Sequence, residues 1–287
     1  MADRPALTAR IVATGAKVLA SPPSVYLRFR QLLNDPNFAI ADVADLVHTD
    51  PATAARLLRI ANSAYFGGLE GVDTVNRALV VLGTRQVHDI ILATSVIRRF
   101  TGIPVKLVNM HRFWQASVLA AAAARLLADR CFIFESERMF TAGLLAQLGQ
   151  LVLYLRVPSV MSRVLEITRC EGRPIHQVEC ELLGFDYAEV GGELLAAWQL
   201  PPGLVLPIRY HTNPAHAAER ILEASVLAIA VALAGNVEAV ASQTDPARHI
   251  DPLALSTVGL CASDLESLRT EANGLAREGD GLFLAAA

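Results

Sequence analysis

The sequence predicts an all-α protein. Apolar residues recur at helical spacing along almost the whole chain, and no stretch keeps the alternating pattern of a half-buried β-strand. Glycine interrupts this pattern where helices would end, for example at Gly83 and Gly184. We therefore expect a series of packed helices, divided between an N-terminal helical lobe and a C-terminal helical lobe.

A pause in the apolar pattern at Thr101–Pro104 indicates the boundary between the two lobes. The N-terminal lobe is predicted to comprise residues 1–103, and the second lobe residues 104–243. The remaining residues, 244–287, form a polar, Gly-rich tail with one predicted helix near Ser263–Ala276.

The elements of the N-terminal lobe follow from their apolar faces and their ends. Asp50 is a predicted N-cap, because the residue that follows it, Pro51, suits the first position of a helix. A Ser-Pro-Pro sequence separates the first two helices, and glycines end the later ones. The predicted helices are Arg10–Leu19, Val25–Leu33, one with its apolar face in Ile40–Val47, one that begins at Pro51, and two on either side of Gly83.

The second lobe is predicted to contain longer helices. Asp186 and Glu189 have the spacing of a capping box, in which each side chain satisfies a backbone N–H group at the start of a helix. The predicted helices are Leu107–Ala128, Ser136–Leu155, Ser159–Glu171, Ile175–Leu183, one from Asp186 to Pro201, and Ala215–Val240.

The composition raises the question of a membrane protein, since 53% of the 287 residues are apolar and the mean hydropathy is +0.39. The longest uncharged runs, Met139–Leu155 and Ala224–Val237, fall short of the roughly 20 apolar residues that a spanning helix needs. The charged start of the chain lacks the apolar region of a signal peptide. The sequence therefore predicts a cytoplasmic protein without a membrane partner.

Nucleic-acid binding is disfavoured by the net charge of −3. The segment at residues 40–62 could form a helix-turn-helix, but its second helix offers only Arg56, Arg59 and Asn62 to a nucleic acid. The four cysteines are scattered without a CxxC pair, which indicates reduced thiols rather than a disulfide framework or zinc site.

The sequence contains none of the nucleophile-elbow, P-loop or dinucleotide-binding patterns, so these motifs assign no catalytic or nucleotide-binding function. No two histidines lie four residues apart with the intervening glutamate of a helical metalloprotease. One unusual feature is the apolar stretch TAGLLAQLGQLVLYLR, which carries two uncharged amides, Gln147 and Gln150.

Several segments together resemble the HDOD domain (HD-related output domain) of bacterial signalling proteins. These are DPATAARLLRIANSAYFG, RALVVLGTRQVHDIIL, FWQASVLAAAAARLLA, AGLLAQLGQLVLY and GFDYAEVGGELLAAWQLPPGLVLPIRYH, in the order and spacing of that family. The resemblance implies an N-terminal helical lobe packed on a lobe derived from HD phosphohydrolases. It also implies a regulatory role that is usually non-catalytic.

The resemblance further implies that the metal-binding positions of the HD enzymes have been replaced. Those enzymes hold divalent metal with histidines and aspartates, and Ala224–Val237 contains no acidic residue where a late Asp is expected. At the other matched positions this chain has Ala116, Ala146, Gln147, Tyr187, Tyr210 and His211.

From these residues we expect no metal, no cofactor and no catalytic residue, because one histidine cannot replace several converging ligands. The expected partners are signalling proteins, in settings such as cyclic-di-GMP-linked, stress or motility regulation that the resemblance suggests. An alternative is a sensor that binds a nucleotide or cyclic dinucleotide without cleaving it. In either case Gln147, Gln150, Tyr187, Tyr210 and His211 are the predicted contacts of the remnant pocket. Residual phosphohydrolase activity is the least favoured alternative.

The remaining conspicuous residues are predicted to be structural. Asn62 and Ser63 are expected to cap a helix and turn the chain out of it. Trp114 and Trp198 are expected to anchor the core, since large aromatic side chains bury most of their area. Gly191–Gly192 lies inside a predicted helix at a cost of about 1 kcal/mol per glycine, which indicates a close helix contact there.

Overall fold

The regular structure of the protein is helical. In the ranges that the computed structural model describes there is no β-strand, so the predicted all-α class is confirmed. These ranges are residues 7–15, 24–35, 39–62, 71–97, 100, 102–235 and 250–283.

The helices of the N-terminal part are short and are separated where the sequence predicts a break. Thr74 starts one of them by accepting a hydrogen bond from the Arg77 N–H, and Gly83, with a φ of +82°, ends it. The predicted Ser-Pro-Pro break at residues 21–23 lies outside the described residues. The helices are α1 (Ala9–Thr14), α2 (Ser24–Leu33), α3 (Ile40–His48), α4 (Pro51–Ala61), α5 (Val75–Leu82) and α6 (Thr84–Ile97).

Longer helices follow, together with one 3₁₀ helix at Pro214–Arg220. The α-helices are α7 (Met110–Arg130), α8 (Ser136–Leu145), α9 (Leu148–Arg156), α10 (Pro158–Glu171), α11 (Ile175–Leu183), α12 (Tyr187–Ala197), α13 (Pro202–Tyr210), α14 (Ile221–Ala234), α15 (Pro252–Val258) and α16 (Asp264–Phe283). Among the described helices, none combines the length and the apolar character needed to cross a bilayer.

The prediction of one continuous helix at Ser136–Leu155 is wrong. The chain turns at Ala146–Gln147, where the Ala146 N–H bonds back to the Gly143 carbonyl and Gln147 becomes the N-cap of α9. All residues from 139 to 154 are buried. Side chains that are buried on every side carry no periodic signal that would reveal the break.

The predicted helix Ala215–Val240 is also corrected. Its first part is the 3₁₀ helix, in which Ala218 has φ 49° and ψ −117°, and the α-helix begins only at Ile221. That helix ends at Ala234, and residues 236–240 lie outside the described residues. Alanine is a strong helix former, so the sequence gives no indication of this break.

Helix α7 forms the centre of the second lobe, where it packs against α8, α14 and α16. Its alanine run, Ala120–Ala124, is buried and lets these neighbours approach closely. A Cβ added at Gly143 of α8 would lie 2.5 Å from Ala121 Cα, closer than real Cβ atoms approach. Trp114 of α7 and Trp198 after α12, the predicted core anchors, are both fully buried.

Contacts between the two parts of the chain involve both its ends. Helix α1, which the sequence prediction placed in the N-terminal lobe, packs against α9 and α12. Helix α16, which was predicted to belong to a tail, contacts α4 as well as α7. A further contact between the two parts comes from the Arg30 guanidinium of α2, which donates to the Trp198 carbonyl at 3.4 Å and to Gln199 Oε1 at 3.2 Å.

The end of α4 is fixed by one amide side chain. Asn62 Nδ2 donates to the carbonyls of Leu58 (2.8 Å) and Val72 (2.7 Å), while Asn62 Oδ1 accepts from the Val72 N–H at 2.9 Å. This side chain therefore both caps the helix and ties it to the segment that leads into α5. Ser63, which was predicted to act with it, lies outside the described residues.

Candidate functional site

The candidate site is built around the crossing of α9 and α12. The two helices meet at Gly149, where an added Cβ would lie 1.8 Å from the Tyr187 carbonyl oxygen and 2.7 Å from the Gly191 nitrogen. Only a residue without a Cβ fits at this point. Gly149 thus brings the first turn of α12, with Tyr187, against the first turn of α9, which carries Gln147 and Gln150.

Tyr187 and His211 form a buried hydrogen-bonded pair. The Tyr187 hydroxyl lies 2.9 Å from His211 Nε2, and His211 Nδ1 lies 2.7 Å from the Ile208 carbonyl oxygen. Because a carbonyl can only accept, we assign the proton to Nδ1, so Nε2 accepts from the tyrosine hydroxyl. Both nitrogens of the imidazole are therefore engaged within the protein.

Burial keeps this pair neutral. It lowers the pKa of His211 from 6.5 to about 4, and it raises the pKa of Tyr187 well above 10.0. Near neutral pH the pair is therefore an uncharged imidazole that accepts a hydrogen bond from a protonated phenol.

Asp186 connects this pair to the neighbouring turn. As the N-cap of α12 it accepts the Glu189 N–H on Oδ1 at 2.9 Å, at the position that the sequence predicts. Its second oxygen, Oδ2, accepts the Thr212 hydroxyl at 2.6 Å. Because Thr212 follows His211, this carboxylate fixes the end of α13 against the start of α12.

Sequence reasoning missed Glu179, which lies fully buried beneath the same turn. Its Oε2 accepts the Tyr187 backbone N–H at 2.9 Å. Burial, reinforced by the nearby negative charge of Asp186, raises the pKa of Glu179 well above 4.5. A signal was present in the sequence, since Glu179 falls four residues after Ile175 and next to Val178, on the apolar face of α11.

The two glutamines are buried, with 3% of Gln147 and 2% of Gln150 exposed. Within the described part of the chain, Gln147 Oε1 meets no hydrogen-bond donor and Gln150 Nε2 meets no acceptor. Buried polar atoms in folded proteins are nearly always satisfied by protein, water or ligand. The pair thus offers one acceptor and one donor at the start of α9.

Tyr210, the last predicted contact, differs from the others. It is half-buried, and its ring lies 5.7 Å from the Arg209 guanidinium carbon, while Arg209 forms an ion pair with Glu193. The structure therefore pairs Tyr187 with His211 and places Tyr210 beside an arginine.

These residues do not fit a divalent metal ion. Ala116 and Ala146 offer no donor, and the Gln147 amide is a neutral, weak ligand. Both nitrogens of His211 are already occupied by Tyr187 and Ile208. In the part of the chain that the structure describes, no three His, Cys, Asp or Glu side chains converge on one point.

One curated relative has no described function of its own. The chain is 25% identical over 198 residues to an uncharacterized protein of Treponema pallidum (strain Nichols), a match that covers 69% of this chain. It covers only 38% of that protein, so the chain spans well under half of the relative's length.

Solved structures share the fold. An HDOD domain protein of unknown function from Geobacter sulfurreducens matches with a TM-score of 0.73 and 22% identity, over 93% of this chain and 96% of that chain. A protein of Shewanella amazonensis SB2B, provisionally named a phosphohydrolase, matches with a TM-score of 0.72 and 24% identity, over 94% of this chain and 98% of that chain. At these identities the two likenesses establish the fold alone.

A third structure has a TM-score of 0.66 and 25% identity. It comes from Marinobacter aquaeolei VT8 and is provisionally named a signal transduction protein. The likeness covers 93% of this chain but 59% of that chain, so this chain corresponds to part of a longer protein.

The family assignment comes from residues 19–214, which match the model of the HDOD domain. This range includes α9, α12 and the Tyr187–His211 pair, and it agrees with the resemblance that the sequence motifs indicate. The chain belongs to the HDOD domain family.

Proposed function

We propose that this protein is a non-catalytic regulatory component of a bacterial signalling system and that it acts by binding another protein in the cytoplasm. Membership of the HDOD family and the likeness to a structure provisionally named a signal transduction protein support a signalling role. The cyclic-di-GMP-linked, stress and motility settings named above are part of this proposal.

The observation that carries the non-catalytic part is the engagement of His211. An imidazole that ligates a metal needs one nitrogen free for the ion, whereas His211 Nε2 accepts from the Tyr187 hydroxyl and Nδ1 donates to the Ile208 carbonyl. Its lowered pKa, about 4, also removes the positive charge that would attract a phosphate near neutral pH. The other positions matched to HD enzymes, Ala116 and Ala146, contribute no reactive group.

The test is an assay of metal content and hydrolysis on the purified full chain. We expect less than stoichiometric Mn, Fe, Ni and Zn, and no turnover of phosphomonoesters, phosphodiesters or cyclic dinucleotides with added Mn²⁺. The His211→Ala variant is the matched control, since it should show the same metal content and the same absence of turnover as the wild type. Stoichiometric metal with turnover that His211→Ala abolishes would contradict the proposal.

A second candidate function is nucleotide sensing without hydrolysis. It is favoured by the complementary buried atoms, Gln147 Oε1 and Gln150 Nε2, which could receive the donor and acceptor of a nucleobase edge. Calorimetric titration with cyclic di-GMP and with mononucleotides distinguishes the two functions. A saturable signal that is lost in Gln147→Leu but kept in a surface variant would favour sensing.

A further inference from the structure

The turn between α7 and α8, Cys131–Glu135, presents two aromatic side chains to solvent. We name this segment the aromatic turn. Phe132 is 94% exposed and Phe134 is 99% exposed, whereas Ile133 between them packs against the core. Phenylalanine is among the residues that folding most often buries, so two nearly full exposures two residues apart require an explanation.

The backbone of the aromatic turn makes the choice of residue more unusual. The Ile133 N–H bonds to the Ala128 carbonyl at 2.9 Å and the Phe132 N–H to the Asp129 carbonyl at 3.2 Å, which is the Schellman pattern that ends a helix. The residue in the left-handed position of this pattern is usually glycine, and here it is Phe132 with a φ of 55°. A side chain at that position strains the backbone, and the exposed ring gains no burial in return.

The charges that border the aromatic turn leave an acidic excess. Arg130 pairs with Glu271 of α16 at 2.5 Å, and Arg138 pairs with Glu135, so both arginines are compensated within the molecule. Glu137, in contrast, is exposed.

No ion pair involves Glu137 in the described part of the chain. Asp129 lies 3.9 Å from the nearest nitrogen of Arg125, at the limit of an ion pair, and more than half of its side chain is exposed. Around the aromatic turn four carboxylates face three guanidinium groups, which leaves a net charge of −1: Asp129, Glu135, Glu137 and Glu271 against Arg125, Arg130 and Arg138.

We propose that the aromatic turn is the docking site for a partner protein, which receives Phe132 and Phe134 in an apolar cleft bordered by lysine or arginine. Exposed aromatic anchors that fill apolar pockets typically dominate protein interfaces, and opposite charge at the rim guides association. This inference rests on the proposed function, because it identifies the surface through which a regulatory protein would bind.

Two other occupants are disfavoured by the same observations. An anionic membrane would be repelled by the acidic rim. A second copy of the chain would bring two acidic rims together. Two convex turns would also bury only about 300 to 500 Å² per copy through their phenylalanines, against roughly 800 Å² in a standard interface.

The experiment uses the photoreactive residue p-benzoylphenylalanine at position 134 of the full chain, in cells that naturally express it. The matched control carries the same residue at position 105, because Val105 is also exposed (86%) but lies in a different loop. We expect one protein adduct from position 134 that position 105 does not give.

The protein in that adduct is then purified, and its affinity is measured for the wild type, Phe132→Gly, Phe134→Ser and Val105→Ser. Both phenylalanine variants should bind at least about tenfold more weakly, with Val105→Ser unchanged. Affinity should also fall as salt rises from about 0.05 to 0.5 M. Melting temperatures of the variants at or above the wild-type value verify that they fold.

Several outcomes would overturn the docking site. These are no adduct above the position-105 control, an adduct with lipid or with a second copy, or equal affinity for Phe134→Ser. Cosedimentation with phosphatidylglycerol–phosphatidylethanolamine vesicles and analytical ultracentrifugation of the chain alone provide direct tests of lipid binding and self-association. If the partner binds Phe134→Ser with wild-type affinity, the docking site is wrong but the proposed function is unaffected. Hydrolytic turnover by the protein would instead contradict the proposed function.

Discussion

The Tyr187–His211 pair and the aromatic turn lie in the same helical lobe but differ in where their side chains find contacts. The pair is buried, neutral and hydrogen-bonded within the protein. The aromatic turn directs Phe132 and Phe134 into solvent, on a backbone conformation that favours glycine.

The difference indicates which of the two regions is available to another molecule. A ligand at His211 would have to break existing hydrogen bonds in the protein interior, where an unsatisfied polar group costs about 1–3 kcal/mol. A partner at the aromatic turn would only remove apolar surface from water, which is favourable. If this comparison is correct, substitutions in the first region should damage the fold, and substitutions in the second should not.

The largest effect is expected at the α9–α12 crossing. Gly149→Ala should lower the free energy of unfolding by about 3 kcal/mol, because its Cβ would overlap the Tyr187 carbonyl oxygen and the helices must move apart. Gly191→Ala is the matched control on the facing helix, where the Cβ would find its nearest neighbour at 3.5 Å. That variant should be neutral or up to about 1 kcal/mol more stable, from helix propensity.

Urea denaturation followed by circular dichroism measures both variants of this crossing. Equal stability of Gly149→Ala and wild type would show that this buried crossing accommodates an added methyl group, as an exposed position does.

The next effect concerns pH. Since burial lowers the pKa of His211 from 6.5 to about 4, the unfolded chain takes up a proton that the folded protein refuses in this interval. Stability should therefore fall as the pH drops from about 6.5 to 4, by about 3 kcal/mol in total. His211→Gln keeps all other titrating groups, so the difference between its unfolding curves and those of the wild type isolates the imidazole. Parallel pH dependences would mean that His211 is charged or exposed.

Glu179 should have the opposite pH dependence. Its pKa is raised above 4.5, so the folded protein holds a proton that the unfolded chain releases, and stability is lost as the pH rises above that value. Relative to Glu179→Gln, which can still accept the Tyr187 N–H, the wild type should lose stability as the pH rises from 5 to 7. Chemical denaturation at several pH values measures this, and a wild type that gains stability over the interval would contradict a neutral Glu179.

The smallest effect is expected at the aromatic turn, where one substitution should stabilise the protein. Phe132→Gly should raise the free energy of unfolding by about 0.5–1 kcal/mol, because glycine adopts the left-handed conformation without steric strain. Phe134→Ser is the matched control with an equally exposed ring and should be neutral within about 0.5 kcal/mol. Thermal unfolding measures both, and a destabilised Phe132→Gly would show that the ring supports the fold.

Much of the fold followed from the apolar pattern and the helix ends. The N-cap at Asp186, the break at Gly83 and the end of α11 at Gly184 each rest on a local cause, a side-chain acceptor or a positive φ, which the residue type signals by itself. The turn at Ala146–Gln147 depends on packing from all sides. Such packing gives no signal in the local sequence, so the sequence did not predict the turn.

The site was predictable only in part. The resemblance to HDOD domains named Tyr187 and His211 as neighbours of one pocket, but not that they bond to each other. The position of Glu179 on the apolar face of α11 was visible in the sequence, but its contact was not, because its carboxyl accepts a backbone N–H from another helix. The aromatic turn was missed because an apolar residue in a sequence indicates burial on average, and exposure of Phe134 depends on how α7 and α8 are oriented.

The packing of α1 against α12 has a consequence for synthesis on the ribosome. Val12 and Ala13 bury themselves against a lobe whose helix α12 begins about 170 residues later, and a ribosome needs roughly 10 to 35 s to add that length. Until both α9 and α12 have been made, α1 lacks the complete surface against which it packs in the native structure. Helix α1 is therefore made long before it can reach its native position.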